Sequence, residues 1–120
     1  MAWVESHLKG GGGLSIDTVL EDGQVSTTSA YATASFNDVS DYDLLFVKVY
    51  YDYNGVLKEY TAAVDVSQLL LANPFDFVVR TNEIGMLTLR FTTTSVQGYG
   101  YGGAWRDIYV DIKGTNLEVW

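Results

Sequence analysis

Histidine and cysteine carry most nucleophilic and zinc chemistry, and this sequence has almost none of either. Its one histidine is His7, and it has no cysteine. His7 lies in a nine-residue head that is followed by four glycines, where nothing would hold an imidazole at a preorganised site. The glycine run also lacks the Lys-Ser/Thr of a phosphate-binding loop. We therefore expect a protein that is not an enzyme and uses no cofactor.

Carboxylates are the remaining candidates for chemistry. Asp107 and Asp111 lie on one face of a predicted strand, roughly 13 Å apart along it. That separation exceeds the roughly 5–9.5 Å of glycosidase carboxylate pairs. Asp38, Asp41 and Asp43 could offer oxygen ligands to calcium, but they lack EF-hand spacing. We interpret both groups as surface and turn residues and predict no metal site.

Aromatic residues suggest a binding role instead. Segment 97–105 contains Tyr99, Tyr101 and Trp105 together with four glycines. Tyrosine and tryptophan offer flat faces with a polar tip, and loops of this composition suit contact with a sugar or another protein. The alternative is a long hairpin loop whose tyrosines lie back on the edge of a sheet.

Three further tyrosines, Tyr31, Tyr50 and Tyr109, fall on the less apolar faces of predicted strands. Exposed aromatic residues of this kind often mark an interface. We therefore count them as interface candidates and expect the chain to form a homo-oligomer.

The elements that would position these residues are short strands. Apolar and polar residues alternate with period two, which is the pattern of half-buried strands. The predicted strands cover residues 14–20, 30–36, 44–53, 56–65, 75–80, 87–92, 107–112 and 117–120, with a turn at 21–24 and one short helix at 67–73. The alanines of strand 30–36 predict that another sheet or a neighbouring chain approaches it closely. We predict an all-β, antiparallel two-sheet β-sandwich, jelly-roll-like, with about eight or nine short strands; an open barrel is the alternative.

The strongest local signal is Asn54-Gly55 between two alternating runs, which predicts a two-residue hairpin turn. Paired residue numbers then sum to 109. This register puts an apolar set on one face and a mixed set on the other. The predicted pairs are Leu45 with Val64, Val47 with Ala62, Val49 with Tyr60, Lys48 with Thr61, and Tyr50 with Glu59.

Four consecutive glycines, residues 10–13, divide the chain into an N-terminal arm with its linker, residues 1–13, and a β-sandwich domain, residues 14–120. The arm carries Trp3, Val4 and Leu8. These apolar side chains fit either an anchor that docks on a partner or a frayed terminus. A first strand that ends at a glycine bulge is a third possibility.

Charge excludes several partners. The 120 residues carry a formal net charge of −8. A surface this acidic repels phosphate backbones and anionic membrane surfaces, so we predict no nucleic-acid partner. No apolar run approaches the ~20 residues that span a bilayer, so we predict no membrane insertion.

Over residues 28–114 the order of features resembles the small β-sandwich domains of phage tail-fibre and receptor-binding proteins. The similarity rests on the stretches TSAYATA at 28–34, SDYDLLFV at 40–47, RFT at 90–92 and WRDIYVDIKG at 105–114. The resemblance implies a virion structural protein and brings no catalytic residues with it.

We therefore expect a phage virion protein of the tail, baseplate or fibre apparatus that acts by assembly and receptor recognition. Two alternatives stay open: a capsid decoration protein anchored by residues 1–9, and a carbohydrate-binding module that uses Tyr99, Tyr101 and Trp105. The expected partners are other virion proteins, further copies of the chain and a host surface glycan.

Overall fold

The computed structural model describes residues 16–117. These residues form eight strands in two antiparallel four-stranded sheets and one short helix, so the predicted β-sandwich is confirmed. The first sheet has the order β1-β8-β3-β4, and the second has the order β2-β7-β6-β5. The elements are β1 Ile16–Ser26, β2 Thr33–Ser35, β3 Leu44–Tyr53, β4 Val56–Asp65, α1 Val66–Leu71, β5 Phe75–Arg80, β6 Met86–Thr92, β7 Ser95–Gly100 and β8 Ile108–Thr115.

The β3–β4 hairpin has the predicted register throughout. Leu45 pairs with Val64, and the pairing continues without a shift to the turn. Asn54 and Gly55 both adopt positive φ, at 55° and 83°, as this turn requires. All five predicted pairs are confirmed, so local alternation and turn chemistry were sufficient to define this part of the fold.

The core lies between the inner faces of the two sheets. Val49 and Val110 of the first sheet are fully buried, as are Leu89 and Phe91 of the second. On the outer face, by contrast, the Lys48 side chain is 40% exposed. The alternation seen in the sequence therefore corresponds to an inward and an outward face on the central strands.

The turn predicted at residues 21–24 is wrong, because β1 runs straight through it. The strand accommodates the turn-like residues as a bulge: Asp22 has a φ of 52°, and the register with β8 shifts between Leu20 and Gly23. A Cβ at Gly23 would lie 3.0 Å from the Ala34 Cβ. Glycine therefore serves here as the point where the two sheets approach each other, and Ala34 supports the prediction of a close neighbour.

The predicted strand 30–36 is shorter than expected. Only Thr33–Ser35 forms β2, and Tyr31 makes an isolated bridge with Ser26. The preceding residues form a turn around the Thr27 hydroxyl, which accepts hydrogen bonds from the amides of Ser29 and Ala30. A side-chain turn of this kind competes with strand pairing.

Strand β7 was missed, and residues 97–100 were wrongly assigned to a loop. The inward positions of this strand are Val96 and Gly98, and both are buried. A glycine at an inward position hides the alternation, because it contributes no apolar side chain to the pattern. Gly98 instead lies under the backbone of β1, where a Cβ would be 2.4 Å from the Val25 carbonyl oxygen.

The helix is present but begins and ends earlier than predicted, at Val66–Leu71. Asp65 caps it by accepting a hydrogen bond from the Ser67 amide. At the C-terminus, Leu117 is not in a strand, and residues 118–120 lie outside the described part of the chain. Among residues 16–117, no helix has the length and apolar character needed to cross a bilayer.

Candidate functional site

Four connections meet at one end of the sandwich, which we call the loop end. They are residues 27–32, 54–55, 81–85 and 101–107. The strand register brings them together, since β1 and β3 end here, β8 begins here, and β5 ends beside the start of β6. In sandwich folds, loops gathered at one end are a common place for recognition residues.

Three of the predicted interface residues meet at the loop end and form an aromatic cluster of Tyr31, Tyr101 and Trp105. The Tyr31 ring packs edge-on against Trp105, with ring centroids 4.8 Å apart and planes at 73°. Tyr101 packs edge-on against both, at 5.9 Å from Tyr31 and 6.0 Å from Trp105. Trp105 stays 45% exposed. The cluster thus presents one large aromatic ring to solvent on a base of two tyrosines.

Hydrogen bonds hold the base of the aromatic cluster in place. The Tyr101 hydroxyl lies 2.7 Å from Ser26 Oγ, with which it shares a hydrogen bond, and it accepts a second bond from the Arg106 amide at 3.1 Å. Ser26 is fully buried at the end of β1. The amide of Gly102 donates to the Ile84 carbonyl, which ties this connection to loop 81–85. Tyr101 therefore lies back on the sandwich, whereas Trp105 does not.

Arg106 lies beside the cluster and was not identified from the sequence. Its guanidinium carbon is 5.1 Å from the Tyr53 ring centroid and 5.9 Å from that of Tyr51. The buried Nε atom has no hydrogen-bond partner among the described residues. Contacts of this kind stabilise the guanidinium on the faces of the two tyrosines. The only signal in the sequence was its position directly after Trp105.

Glu83 connects loop 81–85 to the hairpin. Its Oε1 atom accepts hydrogen bonds from the hydroxyls of Tyr51 and Tyr60, both at 2.6 Å. These bonds stabilise the charged carboxylate and lower the pKa of Glu83. Burial, together with the Glu83 carboxylate, raises the pKa of Tyr51. The loop end is therefore attached to the hairpin by a polar network.

Tyr50 and Tyr109 form a separate pair on the outer face of the first sheet. Their rings stack with centroids 5.7 Å apart, and Lys48 lies 5.4 Å from the Tyr50 ring centroid. The Tyr50 hydroxyl also bonds to Asp22. This pair lies partly buried in a network with charged side chains, so it offers less free aromatic surface than Trp105 does.

Tyr99 lies on the outer face of the second sheet and does not join the cluster. The Arg90 guanidinium lies 3.4 Å from the Tyr99 ring centroid. Arg90 also forms a two-point ion pair with Asp76, at 2.8 and 3.1 Å, which lowers the pKa of Asp76. Arg90 thus serves as a second cation on an aromatic face, and its role was not visible from sequence spacing.

The acidic groups have structural partners. Asp38 accepts a hydrogen bond from the Ser40 amide, and Asp43 accepts one from the Leu117 amide. Asp107 is exposed, whereas Asp111 is partly buried and lies 3.5 Å from Lys48. Within residues 16–117, no three acidic or imidazole groups come together as metal ligands.

The structure thus divides the predicted site residues into three places. Tyr31, Tyr101 and Trp105 meet at the loop end, Tyr50 and Tyr109 meet on one sheet face, and Tyr99 lies on the other. Trp3, Val4 and Leu8, with the arm and glycine run, lie outside the described residues.

Comparison with known proteins gives no match to this chain. No family model matches the chain, and no curated protein or solved structure matches it either.

Proposed function

We propose that this chain is a phage virion structural protein of the tail, baseplate or fibre apparatus. Its β-sandwich would serve as a rigid support, and the loop end would contact a receptor on the host surface. The observation that carries this proposal is the aromatic cluster, which holds an exposed tryptophan on a fixed base at one end of the fold.

The geometry of the cluster favours recognition because the exposed ring is already in place. Tyr31 and Tyr101 support Trp105 from two sides, and Tyr101 is fixed in turn by hydrogen bonds to β1 and to the Arg106 amide. A preorganised aromatic side chain loses little conformational entropy on binding.

A carbohydrate is the ligand that fits these groups best. Its apolar face can stack on Trp105, and its hydroxyl or carboxylate groups can accept hydrogen bonds from Arg106. The same features favour the second candidate, a carbohydrate-binding module outside a virion. The two candidates differ in location and not in the chemistry of the site.

Location is therefore the first test. Phage particles would be purified from a culture that expresses the chain, and an antibody against it would be followed by electron microscopy. Label on the tail or fibre supports the proposal. Label over the capsid supports the decoration alternative, in which residues 1–9 form the anchor. Absence of the chain from purified particles supports the free carbohydrate-binding module.

A further inference from the structure

We propose that two copies of this chain associate through strand β4, which pairs antiparallel with β4 of the second copy around a two-fold axis at Tyr60. The contact lies on the side of the sandwich, where β4 and β5 form the open edges of the two sheets. It involves neither Trp105 nor the other residues of the aromatic cluster.

The first observation is an unpaired strand edge. In a hairpin with a two-residue turn, alternate residues bond to the partner strand, beginning beside the turn. Even-numbered residues of β4 therefore bond to β3, and the bond from the Val66 amide to the Asp43 carbonyl continues this pattern. The amides of residues 57, 59, 61 and 63 point away from β3. In the described part of the chain, no backbone bond leads from them to another element.

The second observation is that this strand edge is regular and only lightly protected. Strand edges are usually blocked by proline, by bulges or by charged side chains, including charges that point inward. All ten residues of β4 pair with β3 without a bulge, and none is proline. Its one lysine, Lys58, points inward, which is one protective device, but this charge is paired with Glu83 at 3.9 Å. The edge is long, regular and open to pairing.

The third observation is apolar surface along the same side. Of the eleven large hydrophobic side chains exposed in the described residues, six belong to β4, β5, the start of β6 or helix α1. They are Val56, Leu57, Leu70, Leu71, Val78 and Met86. A groove of about 560 Å³ lies between the edges and is lined by Thr61, Ala62, Val78 and Met86, among others. Apolar surface beside a free edge marks a protein contact.

The side chains of β4 allow pairing with a second copy in a register that brings no like charges together. Pairing around Tyr60 places Leu57 opposite Ala63 of the second copy and Glu59 opposite Thr61, so no like charges face each other. A shift of the axis to Glu59 would place this carboxylate opposite Glu59 of the second copy, so two like charges would face each other. A shift to Thr61 would place Leu57 opposite Asp65. Of these three registers, the one around Tyr60 is the most self-complementary.

This register gives a charge test. Thr61→Glu would face Glu59 of the second copy on both sides of the axis, and it should weaken association at least about tenfold. Within one chain the new carboxylate lies opposite Lys48, so the fold is retained. Thr33→Glu is the matched control: an exposed threonine on edge strand β2 that gives the same net charge. Adding Glu59→Lys to Thr61→Glu should restore association, because opposite charges then face each other.

Sedimentation equilibrium over a range of concentrations measures the effect. We expect a dimer of the 13.3 kDa chain that is weakened by Thr61→Glu and not by Thr33→Glu. A monomer at all concentrations, or equal weakening by both variants, would overturn the proposal. An assembly whose stability is unchanged by Thr61→Glu would also overturn the proposal, because such an assembly would use another surface.

Amide hydrogen exchange identifies what covers the edge. In a dimer, protection of the amides of Leu57, Glu59, Thr61 and Ala63 should increase with protein concentration. Protection that is independent of concentration and disappears when residues 1–13 are deleted would mean that the chain covers its own edge, which would overturn the proposal.

Discussion

The β3–β4 hairpin and segment 96–107, which comprises most of β7 and the connection to β8, are both rich in aromatic residues. Different information defines the two regions. In the hairpin, each residue's neighbour follows from the Asn54-Gly55 turn and the period-two alternation. In segment 96–107, each position depends on a distant contact: Gly98 lies under Val25, and Tyr101 bonds to Ser26. The hairpin is a locally defined scaffold, whereas the recognition segment is defined by tertiary contacts.

This difference suggests why the segment presents a binding surface. A strand whose side chains alternate strictly between core and solvent has little freedom to place an aromatic ring. Glycines relax that constraint, since they let the backbone lie directly against β1 and then turn away at Gly103, which has a φ of 94°. Trp105 is consequently supported from beneath while its face remains exposed.

The largest expected effect comes from Gly98→Ala. The new Cβ would lie 2.4 Å from the Val25 carbonyl oxygen, a backbone atom that cannot move without disturbing β1. We expect a loss of about 3 kcal/mol in the free energy of unfolding, as measured by chemical denaturation. If Gly98→Ala lowers the free energy of unfolding by less than Gly55→Val in the hairpin turn does, distant contacts do not define this segment.

Gly55→Val tests the locally defined region. No atom lies within 4 Å of a Cβ at this position, so the cost comes from the φ of 83° alone. We expect a loss of about 1–2 kcal/mol in the free energy of unfolding, because a β-branched residue resists this conformation. An unchanged melting temperature would mean that the turn does not determine the hairpin.

Tyr101→Phe removes the hydroxyl that joins segment 96–107 to β1. We expect a loss of about 1 kcal/mol in the free energy of unfolding, since the buried Ser26 hydroxyl and the Arg106 amide both lose a partner. Tyr109→Phe is the control, because the Tyr109 hydroxyl makes no hydrogen bond to a described residue. Equal losses in the two variants would argue against the anchoring role of Tyr101.

Acid should weaken the connection between loop 81–85 and the hairpin. The pKa of Glu83 is lowered in the folded chain, so its contribution to stability is present above the unfolded value of about 4.3. This contribution is lost as the pH falls through the lower, folded value. We expect the melting temperature of Glu83→Gln to fall less than that of the unmodified chain between neutral pH and about pH 3. The exposed carboxylate variant Glu21→Gln should follow the unmodified chain.

The same contrast explains what could be predicted from the sequence. Alternation was sufficient for the fold class and for the register of the hairpin, because both depend on neighbours in sequence. The prediction of a turn at residues 21–24 was wrong, because Asp22 and Gly23 form a bulge within β1, and this strand continues to pair with β8. Strand β7 was missed because Gly98 carries no side chain to reveal its inward face.

The candidate site follows the same division. Tyr31 was identified from its place on the less apolar face of a predicted strand, and Tyr101 and Trp105 were identified from the composition of their loop. Their meeting at one end of the fold depends on the pairing of β1 with β8 and on the contact of Tyr101 with Ser26. Arg106 and Glu83 became visible only through their tertiary contacts with tyrosines.

The most direct test of the proposed recognition role is Trp105→Ala, assayed for binding to an array of bacterial surface polysaccharides. The ring is 45% exposed, so its removal should lower the free energy of unfolding by no more than about 1 kcal/mol. Tyr99→Ala is the matched control, because Tyr99 is equally exposed in the same segment but lies outside the cluster. We predict that the unmodified chain and Tyr99→Ala bind a common set of polysaccharides, and that Trp105→Ala loses at least about tenfold in affinity for them. Equal binding by all three proteins, or no binding by the unmodified chain, would contradict a recognition site at the aromatic cluster.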